Sequence, residues 1–150
     1  MTADAPDATP PARAILCHFD DYSTALFFAR WPDRSLLWPA PVPDAEVRPG
    51  AAPPQPGADA ETVRQAVIEQ LGLNEAEIEH VAGYEQHLVR GGEPIAAHLY
   101  RFRTFEAPTP AIAPAGGSFR QLPELRGSAA AELGLLREVF NLFVGGSGKR

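Results

Sequence analysis

The chain has 150 residues, a length that fits one domain, with 45% hydrophobic residues and a formal net charge of −6. This negative charge argues against general binding to nucleic acids, because such binding depends on Lys and Arg contacts to phosphates. Its single cysteine, Cys17, excludes an intramolecular disulfide and a zinc site built from cysteines.

The N-terminal segment lacks the features of an exported or membrane-inserted protein. Residues 1–12 are acidic and rich in small residues and proline, without the apolar core of a signal peptide. No later run of apolar residues approaches membrane-spanning length. We expect a soluble cytoplasmic protein that has no contact with a membrane. Its predicted organisation is a flexible tail over 1–12, one domain over 13–144 and a second flexible tail over 145–150.

Two strands are predicted at the start of the domain. Residues 14–19 alternate in hydrophobicity, and residues 25–31 are apolar on both faces, which is typical of a covered central strand. A turn-rich stretch, residues 20–23, separates them, and residues 36–38 predict a short third strand. We interpret Cys17 as a small core residue.

Residues 39–57 contain seven prolines and two glycines, which predicts a long loop. A connection of this length is either a functional lid or binding loop, or locally disordered, and proline content does not decide between these alternatives. Trp31 and Trp38 border the loop. They either wall a pocket that stacks a base, with Trp38 as a ligand-binding residue, or serve only in packing.

A helix is predicted over Asp59 to Leu73. Asp59 suits the N-cap and Gly72 follows the last periodic residue as a C-terminal stop. Apolar residues recur on one face at the spacing of an amphipathic helix, which should pack on a sheet; they are Val63, Ala66, Val67 and Leu71.

A hairpin and a second helix complete the predicted domain. Two extended segments, 81–90 and 95–105, flank the turn residues 91–94. The last helix is predicted from Ser128 to about Phe143; its apolar face contains Leu133, Leu136, Val139, Phe140 and Phe143. This order of elements predicts an α+β or α/β domain in which a mixed β-sheet is sandwiched between helices.

The register of the hairpin decides which residue lies opposite His98. A four-residue turn places His87 opposite His98, whereas a two-residue turn places Glu85 there. Either pair could seat a transition metal, although two histidines without a third ligand at a telling spacing are more often ordinary strand residues. The sequence leaves both registers open.

Gln65 to Leu73, with the sequence Q-A-V-I-E-Q-L-G-L, resembles the closing part of the Nudix hydrolase box. That box reads G-x5-E-x7-R-E-U-x-E-E-x-G-U, where U is apolar. Aligned on Gly72, Glu69 falls on the first glutamate of the E-E pair. The chain departs from the box at five aligned positions: Ala51, Gly57, Gln65, Ala66 and Gln70. Phe119 to Leu125 also resembles the segment that often precedes the last helix of the family.

The resemblance implies a Nudix-like fold and a site for Mg²⁺ or Mn²⁺. Nudix enzymes use such ions to cleave a nucleoside diphosphate linked to another group, and hard cations need several carboxylate oxygens. By this resemblance Glu69 is the candidate catalytic residue and metal ligand, with Gln70 and Glu61 as additional ligands. Arg101 and Arg103 are candidates for phosphate binding, because guanidinium matches phosphate bidentately; the alternative is that they belong to a solvated sheet face.

Three hypotheses about function follow. The leading one is a degenerate Nudix-like domain that binds a nucleoside-diphosphate-type ligand, with metal-dependent pyrophosphohydrolase activity weak or lost. The first alternative is a non-catalytic interaction module that presents the proline-rich loop or the last helix to a partner protein or to a second copy. The second alternative is a divergent but active Nudix hydrolase whose ligands have moved.

Overall fold

The computed structural model describes residues 12–20, 22–125 and 127–145. The two predicted tails therefore lie outside the described residues, apart from Ala12 and Gly145. Within these ranges the chain forms seven strands: β1 Ala12–Phe19, β2 Leu26–Arg30, β3 Glu46–Pro49, β4 Ile78–His80, β5 Gln86–Arg90, β6 Glu93–Phe102 and β7 Ser118–Gln121. The helices are α1 Ala60–Leu71, α2 Thr109–Ile112 and α3 Ala130–Phe140, with 3-10 turns at Glu75–Glu77, Ala113–Ala115 and Leu122–Leu125 and a π turn at Asn141–Gly145.

The strands form one mixed sheet in the order β3-β5-β6-β1-β2-β7, and β4 pairs with the end of β6. β1 and β6 are parallel, with Ala12–Cys17 paired to Ala96–Arg101, and the other strand pairs are antiparallel. A parallel pair aligns the carboxyl ends of its two strands. The segments that follow β1 and β6 therefore emerge at the same edge of the sheet.

A hydrophobic core lies on each face of the sheet. Alternate residues of β1 point to opposite faces, so Ile15 and Cys17 join one core cluster while Leu16 joins the other. α3 packs in the cluster of Ile15, and α1 packs in the cluster of Leu16. The α+β class and the position of the sheet between helices are thus as predicted. None of the helices in the described ranges is long and apolar enough to cross a membrane.

The predicted ends of α1 are confirmed. The Asp59 carboxylate accepts a hydrogen bond from the backbone N–H of Thr62 (3.0 Å), and Gly72 ends the helix with a φ of 67°. Val63 and Val67 are buried against the sheet, whereas Ala66 and Leu71 are only half-buried. Burial of each valine contributes about 1.5–3 kcal/mol through removal of apolar surface from water.

α3 differs from its prediction in its start and in its rotation. It begins at Ala130, and its fully buried positions are Glu132, Leu135, Leu136 and Val139. The predicted apolar face was wrong at Leu133 and at Phe140, which is 39% exposed. The reason is that Glu132 accepts hydrogen bonds from the Ser35 hydroxyl (2.6 Å) and the Leu36 backbone N–H (3.0 Å), which fixes the inward side of the helix.

The proline-rich loop is not structureless along its whole length. Glu46–Pro49 forms β3, an edge strand paired antiparallel with β5. The predicted strand over residues 36–38 is reduced to a bridge between Trp38 and Ala14, while Leu36 and Leu37 are buried in the core.

The hairpin has the shorter of the two turns considered. Gly91 and Gly92 connect β5 to β6 with φ values of 60° and 82°, a conformation that suits glycine at both positions of a two-residue turn. Gln86 pairs with Ala97, so one further step places Glu85 opposite His98. His87 pairs with Ala96, and the alternative pairing of His87 with His98 was wrong.

Candidate ligand-binding site

The predicted metal ligands lie on the outer surface of α1. Glu69 and Gln70 are exposed, and Glu61 lies in the first turn. The Glu61 carboxylate forms an ion pair with Arg64 (3.3 Å) and accepts a hydrogen bond from Gln65 (2.9 Å). At 1.5 Å per residue, Glu61 and Glu69 are about 12 Å apart along the helix axis. The helix therefore does not bring their backbones close together.

The described ranges contain no group of three or more His, Cys, Asp or Glu residues placed to hold a metal ion. Mg²⁺ and Mn²⁺ need several oxygen ligands around one centre, so the described residues do not assemble a carboxylate cage for either ion. The roles of Glu69, Gln70 and Glu61 in metal binding and catalysis stay predictions.

Arg101 lies on β6 and packs beside two aromatic rings that stack on each other. Its guanidinium carbon is 5.5 Å from the ring centroid of Phe19 and 5.5 Å from that of Phe143, and these two rings stack at 5.2 Å. Its Nη2 also donates a hydrogen bond to the carbonyl oxygen of Phe19 (3.3 Å). Cation-π contacts of this kind hold the guanidinium in one orientation. Arg101 thus provides a preorganised positive charge at the end of β6.

Arg103 follows the end of β6 and is more accessible than Arg101. Its backbone N–H donates to the carbonyl oxygen of Glu77 (2.6 Å). Its side chain is 49% exposed and lies 3.5 Å from the carboxylate of Glu79. Ion pairs this exposed contribute little stability, so an anionic ligand could compete with Glu79 for the guanidinium.

Tyr22 and Phe105 form an exposed aromatic pair beside these arginines. Tyr22 is 88% exposed and Phe105 is 80% exposed. Their rings meet edge to face, with centroids 6.5 Å apart and an interplanar angle of 61°. Two adjoining exposed rings form an apolar surface patch. Patches of this kind often mark a ligand-binding groove or a protein–protein contact.

These side chains surround one pocket with a volume of about 140 Å³. They meet because β1 and β6 are parallel, which brings the turn after β1 beside the segment after β6. The volume is below the range of about 300–1,000 Å³ typical of complete ligand sites. The pocket can therefore enclose one part of a ligand, such as a phosphate or a ring, while the rest lies on the surface. It is lined by Phe19, Asp20, Tyr22, Arg101, Phe102, Arg103, Thr104 and Phe105.

Asp20 shapes the turn that presents Tyr22. Its carboxylate accepts hydrogen bonds from the backbone N–H groups of Tyr22 (2.9 Å) and Ser23 (3.4 Å). These bonds, led by the one from Tyr22, hold the pKa of Asp20 below its usual value. The carboxylate stays ionised at neutral pH and is already engaged by its own turn.

The residues behind the pocket have structural roles. Cys17 is fully buried, and burial raises the pKa of its thiol to about 12, so it is neutral and unreactive at physiological pH. His18 is also buried, and its Nε2–H donates to the carbonyl oxygen of Thr104 (2.9 Å). This bond fixes the chain next to Phe105.

Trp38 does not join Arg101 and Arg103. It packs against the core cluster of α1, and its backbone exchanges hydrogen bonds with Ala14 (2.9 and 3.0 Å). Of the three predicted ligand-binding residues, the structure therefore brings the two arginines together and places the tryptophan elsewhere.

A separate cluster of rings lies under the first turn of α1. His80, His98 and Tyr100 have centroids 5.6–6.4 Å apart. His98 Nε2–H donates to the carbonyl oxygen of Ala58 (2.6 Å), and the Tyr100 hydroxyl donates to that of Ala60 (2.7 Å). Burial lowers the pKa of His80, and neighbouring His98 lowers it further, while Glu61 acts in the opposite sense. The cluster anchors the start of the helix.

The chain matches no known family model and no curated protein. The pocket of Arg101 and Arg103 must therefore be judged on its own chemistry.

Sequence reasoning missed Tyr22, Phe105 and Phe19 as pocket residues. The available signal was an aromatic residue placed beside the turn-forming Asp20 and another at the end of the predicted extended segment 95–105. Their convergence depends on the parallel pairing of β1 with β6, which local sequence patterns do not reveal.

Proposed function

We propose that the chain is a degenerate Nudix-like domain that binds a nucleoside-diphosphate-type ligand, with hydrolysis weak or lost. The observation that carries the binding proposal is the meeting of Arg101 and Arg103 with the exposed rings of Tyr22 and Phe105 around one pocket. The two parts of a nucleotide, an anionic phosphate and an aromatic base, correspond to these two kinds of side chain.

Each part of the ligand has a stated partner in this proposal. Arg103 binds the phosphate by exchanging its exposed ion pair with Glu79 for a charge-assisted contact. Arg101, packed beside the stacked rings of Phe19 and Phe143, adds positive charge without having to move. The base stacks on Tyr22 or Phe105, and base–aromatic stacking contributes about 1–3 kcal/mol.

The proposal contains no hydrolytic step. Metal-dependent cleavage needs carboxylates that gather around an ion, whereas Glu61 is engaged by Arg64 and Gln65 and lies far along the helix from Glu69. Exposed Glu69 is the retained box glutamate, so it is the residue whose substitution tests for residual activity.

The binding test is calorimetric titration with ADP, adenosine and inorganic pyrophosphate. We expect saturable binding of ADP that Arg103→Gln weakens by roughly tenfold, because a hydrogen bond to a charged group is worth about 1.5–3 kcal/mol. Phe105→Ala should weaken the binding of ADP and of adenosine but leave the affinity for pyrophosphate unchanged. Arg90→Gln is the matched control, since Arg90 is an exposed arginine on the opposite end of the hairpin. Absence of saturable ADP binding, or equal affinities for Arg103→Gln and Arg90→Gln, would overturn the proposal.

Residual catalysis is tested by phosphate release from nucleoside diphosphate derivatives with Mg²⁺ or Mn²⁺. We expect little or no metal-dependent turnover and the same rate for Glu69→Gln. Fast turnover that Glu69→Gln abolishes would instead support a divergent active hydrolase.

A protein-interaction module remains the second candidate because Tyr22 and Phe105 are large exposed rings, and aromatic residues are enriched at interface hot spots. This candidate predicts that Tyr22→Ala and Phe105→Ala abolish binding to a partner protein while nucleotides have no effect. It differs from the sequence-based alternative, which assigned the contact to the proline-rich loop or the last helix.

A further inference from the structure

β3 forms one edge of the sheet. It pairs antiparallel with β5, and no strand within 12–20, 22–125 and 127–145 pairs with its other side. A strand at the edge of a sheet offers backbone N–H and C=O groups to a further strand. The hydrogen bonds between β3 and β5 decide which residues offer these groups.

Alternate residues of β3 turn their backbone groups outward. The register of β3 with β5 continues to Gly50, whose N–H donates to the carbonyl oxygen of Glu85 (2.9 Å) directly opposite. In an antiparallel pair, residues bonded to the neighbouring strand alternate with residues whose N–H and C=O point away from it. Counting back from Gly50 in steps of two, Arg48 and Glu46 bond to β5. The residues between these positions therefore face outward.

Pro49 and Val47 occupy the outward positions. Proline has no backbone N–H, so its place at 49 costs β3 no hydrogen bond to β5. Val47 keeps both its N–H and its C=O for an added strand. Its side chain lies on the side of α3, since a Cβ on Gly134 would be 3.4 Å from Val47 Cγ2. The outer edge of β3 is thus short and centred on Val47.

The two residues that flank Val47 carry opposite charges. Glu46 and Arg48 lie on the other face of the strand, form an ion pair of 2.8 Å, and have side chains that are more than half exposed. Like charges at these positions would repel an identical strand. Opposite charges placed symmetrically around Val47 instead bring each Glu46 opposite an Arg48 when a second, antiparallel β3 is centred on the same residue. The charge pattern of the edge is complementary to itself.

We infer that β3 pairs with β3 of a second copy of the chain, across a two-fold axis at Val47. The two Val47 residues exchange both of their backbone hydrogen bonds, and the N–H of Ala45 donates to the carbonyl oxygen of Pro49 in the other copy. Glu46 and Arg48 of both copies form a group of four charges of alternating sign. An isologous contact of this kind is complete with two copies.

The test is sedimentation velocity of the full chain at about 1–500 µM, which measures the dissociation constant of the dimer. We expect a reversible equilibrium between monomer and dimer, because few backbone bonds hold the contact. Glu46→Arg places like charges opposite each other, and so does Arg48→Glu. Each variant alone should weaken dimerisation by roughly tenfold.

An equimolar mixture of Glu46→Arg and Arg48→Glu gives the sharpest comparison. One strand of the mixed pair carries two positive charges and the other carries two negative charges, so opposite charges face each other again. The mixture should therefore recover the dimer at the wild-type affinity or better. This recovery would also show that both variants are folded, because two misfolded chains would not restore a specific contact.

Glu77→Arg is the matched control, because Glu77 is an exposed glutamate in the turn before β4, outside β3. It changes the net charge as Glu46→Arg does but should leave the dissociation constant within about twofold of the wild-type value. A wild type that stays monomeric, or a dimer that neither β3 variant weakens, would overturn the inference. Equal weakening by Glu77→Arg, or a mixture that stays monomeric, would also overturn it.

The contact is independent of the proposed nucleotide pocket, since β3 contributes no residue to its lining. Glu46→Arg should therefore bind ADP as the wild type does, and Arg103→Gln should dimerise as the wild type does. The two proposals fail separately.

Discussion

Glu132 is a buried carboxylate that joins α3 to the chain after β2. It is 6% exposed and accepts hydrogen bonds from Ser35 Oγ and from the backbone N–H of Leu36. Since both donors are themselves buried, removal of the acceptor leaves them without compensation for their lost hydration.

We predict that Glu132→Ala lowers the free energy of unfolding by about 1–3 kcal/mol, measured by chemical denaturation. Glu138→Ala on the same helix is the control, because Glu138 is exposed and its removal should change stability by less than about 0.5 kcal/mol. Equal effects of the two substitutions would show that the hydrogen bonds of Glu132 do not stabilise the fold.

His80 makes stability depend on pH near neutrality. Its pKa is lowered in the folded protein by burial and by His98, against the opposing effect of Glu61, whereas an unfolded histidine titrates near ~6.5. Between these two pKa values the unfolded state binds more protons than the folded state. Neutral His80 therefore makes its full contribution to folding stability above the pKa that it has in the unfolded state. This contribution is lost as the pH falls toward the lower pKa that His80 has in the folded state.

We predict that acidification from about pH 7.5 to about pH 5.5 lowers the Tm of the wild type more than that of His80→Gln. Thermal unfolding followed by circular dichroism across this range gives both curves. Parallel curves would mean that protonation of His80 is not linked to unfolding.

Among the elements, the segment that enters β7 requires a glycine for close packing. A Cβ on Gly117 would lie 2.7 Å from Cζ3 and 2.9 Å from Cε3 of the buried Trp31 ring, and 3.1 Å from Ile112. The backbone of the segment thus approaches the ring as closely as a residue without a side chain permits.

We predict that Gly117→Ala destabilises the protein by about 1–3 kcal/mol through overpacking, as measured by denaturant titration. Gly83→Ala offers a matched comparison, because a Cβ there would meet only Leu142 at an ordinary 3.7 Å. A stability loss for Gly117→Ala no greater than that for Gly83→Ala would show that Trp31 moves aside easily.

The elements that sequence reasoning predicted well are those defined by neighbouring residues. α1 carries its own start and stop signals in Asp59 and Gly72, and the turn at Gly91 and Gly92 allows only a few geometries. β3 and β4 were missed because each is a strand of only three or four residues that depends on a distant partner. The face of α3 was predicted correctly at Leu136 and Val139, but burial of Glu132 was missed for a similar reason, since the residues that bond it lie 96 and 97 positions away in sequence.

Only the arginines of the candidate site were predicted from the sequence, whereas its aromatic residues were not. Arg101 and Arg103 alternate with other residues in one predicted extended segment, and guanidinium groups suggest anion binding without knowledge of the fold. Tyr22 and Phe105 lie 83 positions apart in the sequence, and only the completed sheet makes them neighbours. Trp38 was predicted either to wall a pocket or to serve in packing; it packs against the core cluster of α1, and a contact with a ligand stays a prediction.

For the molecule as a whole, the sheet separates two cores that should contribute independently. Val67 belongs to the core cluster of α1 and Leu136 to that of α3, on opposite faces. We predict that Val67→Ala and Leu136→Ala each cost about 1–4 kcal/mol and that the double variant loses their sum within about 0.5 kcal/mol. Denaturant titration of the wild type, the two single variants and the double variant measures these free energies of unfolding. A loss in the double variant that departs strongly from additivity would show that the sheet transmits strain between the cores.

The parallel pairing of β1 with β6 also constrains how folding proceeds. β1 is synthesised first, yet residues 96–101, its partners at the centre of the sheet, are synthesised after most of the chain. Closing this long loop costs entropy before the native contacts form, which slows folding relative to proteins with local contacts. A nascent or truncated chain that ends before β6 would leave one side of β1 unpaired, with apolar Ile15 and Leu16 exposed. Such chains should aggregate more readily than the full chain, because an unpaired strand edge with apolar side chains can pair with another chain.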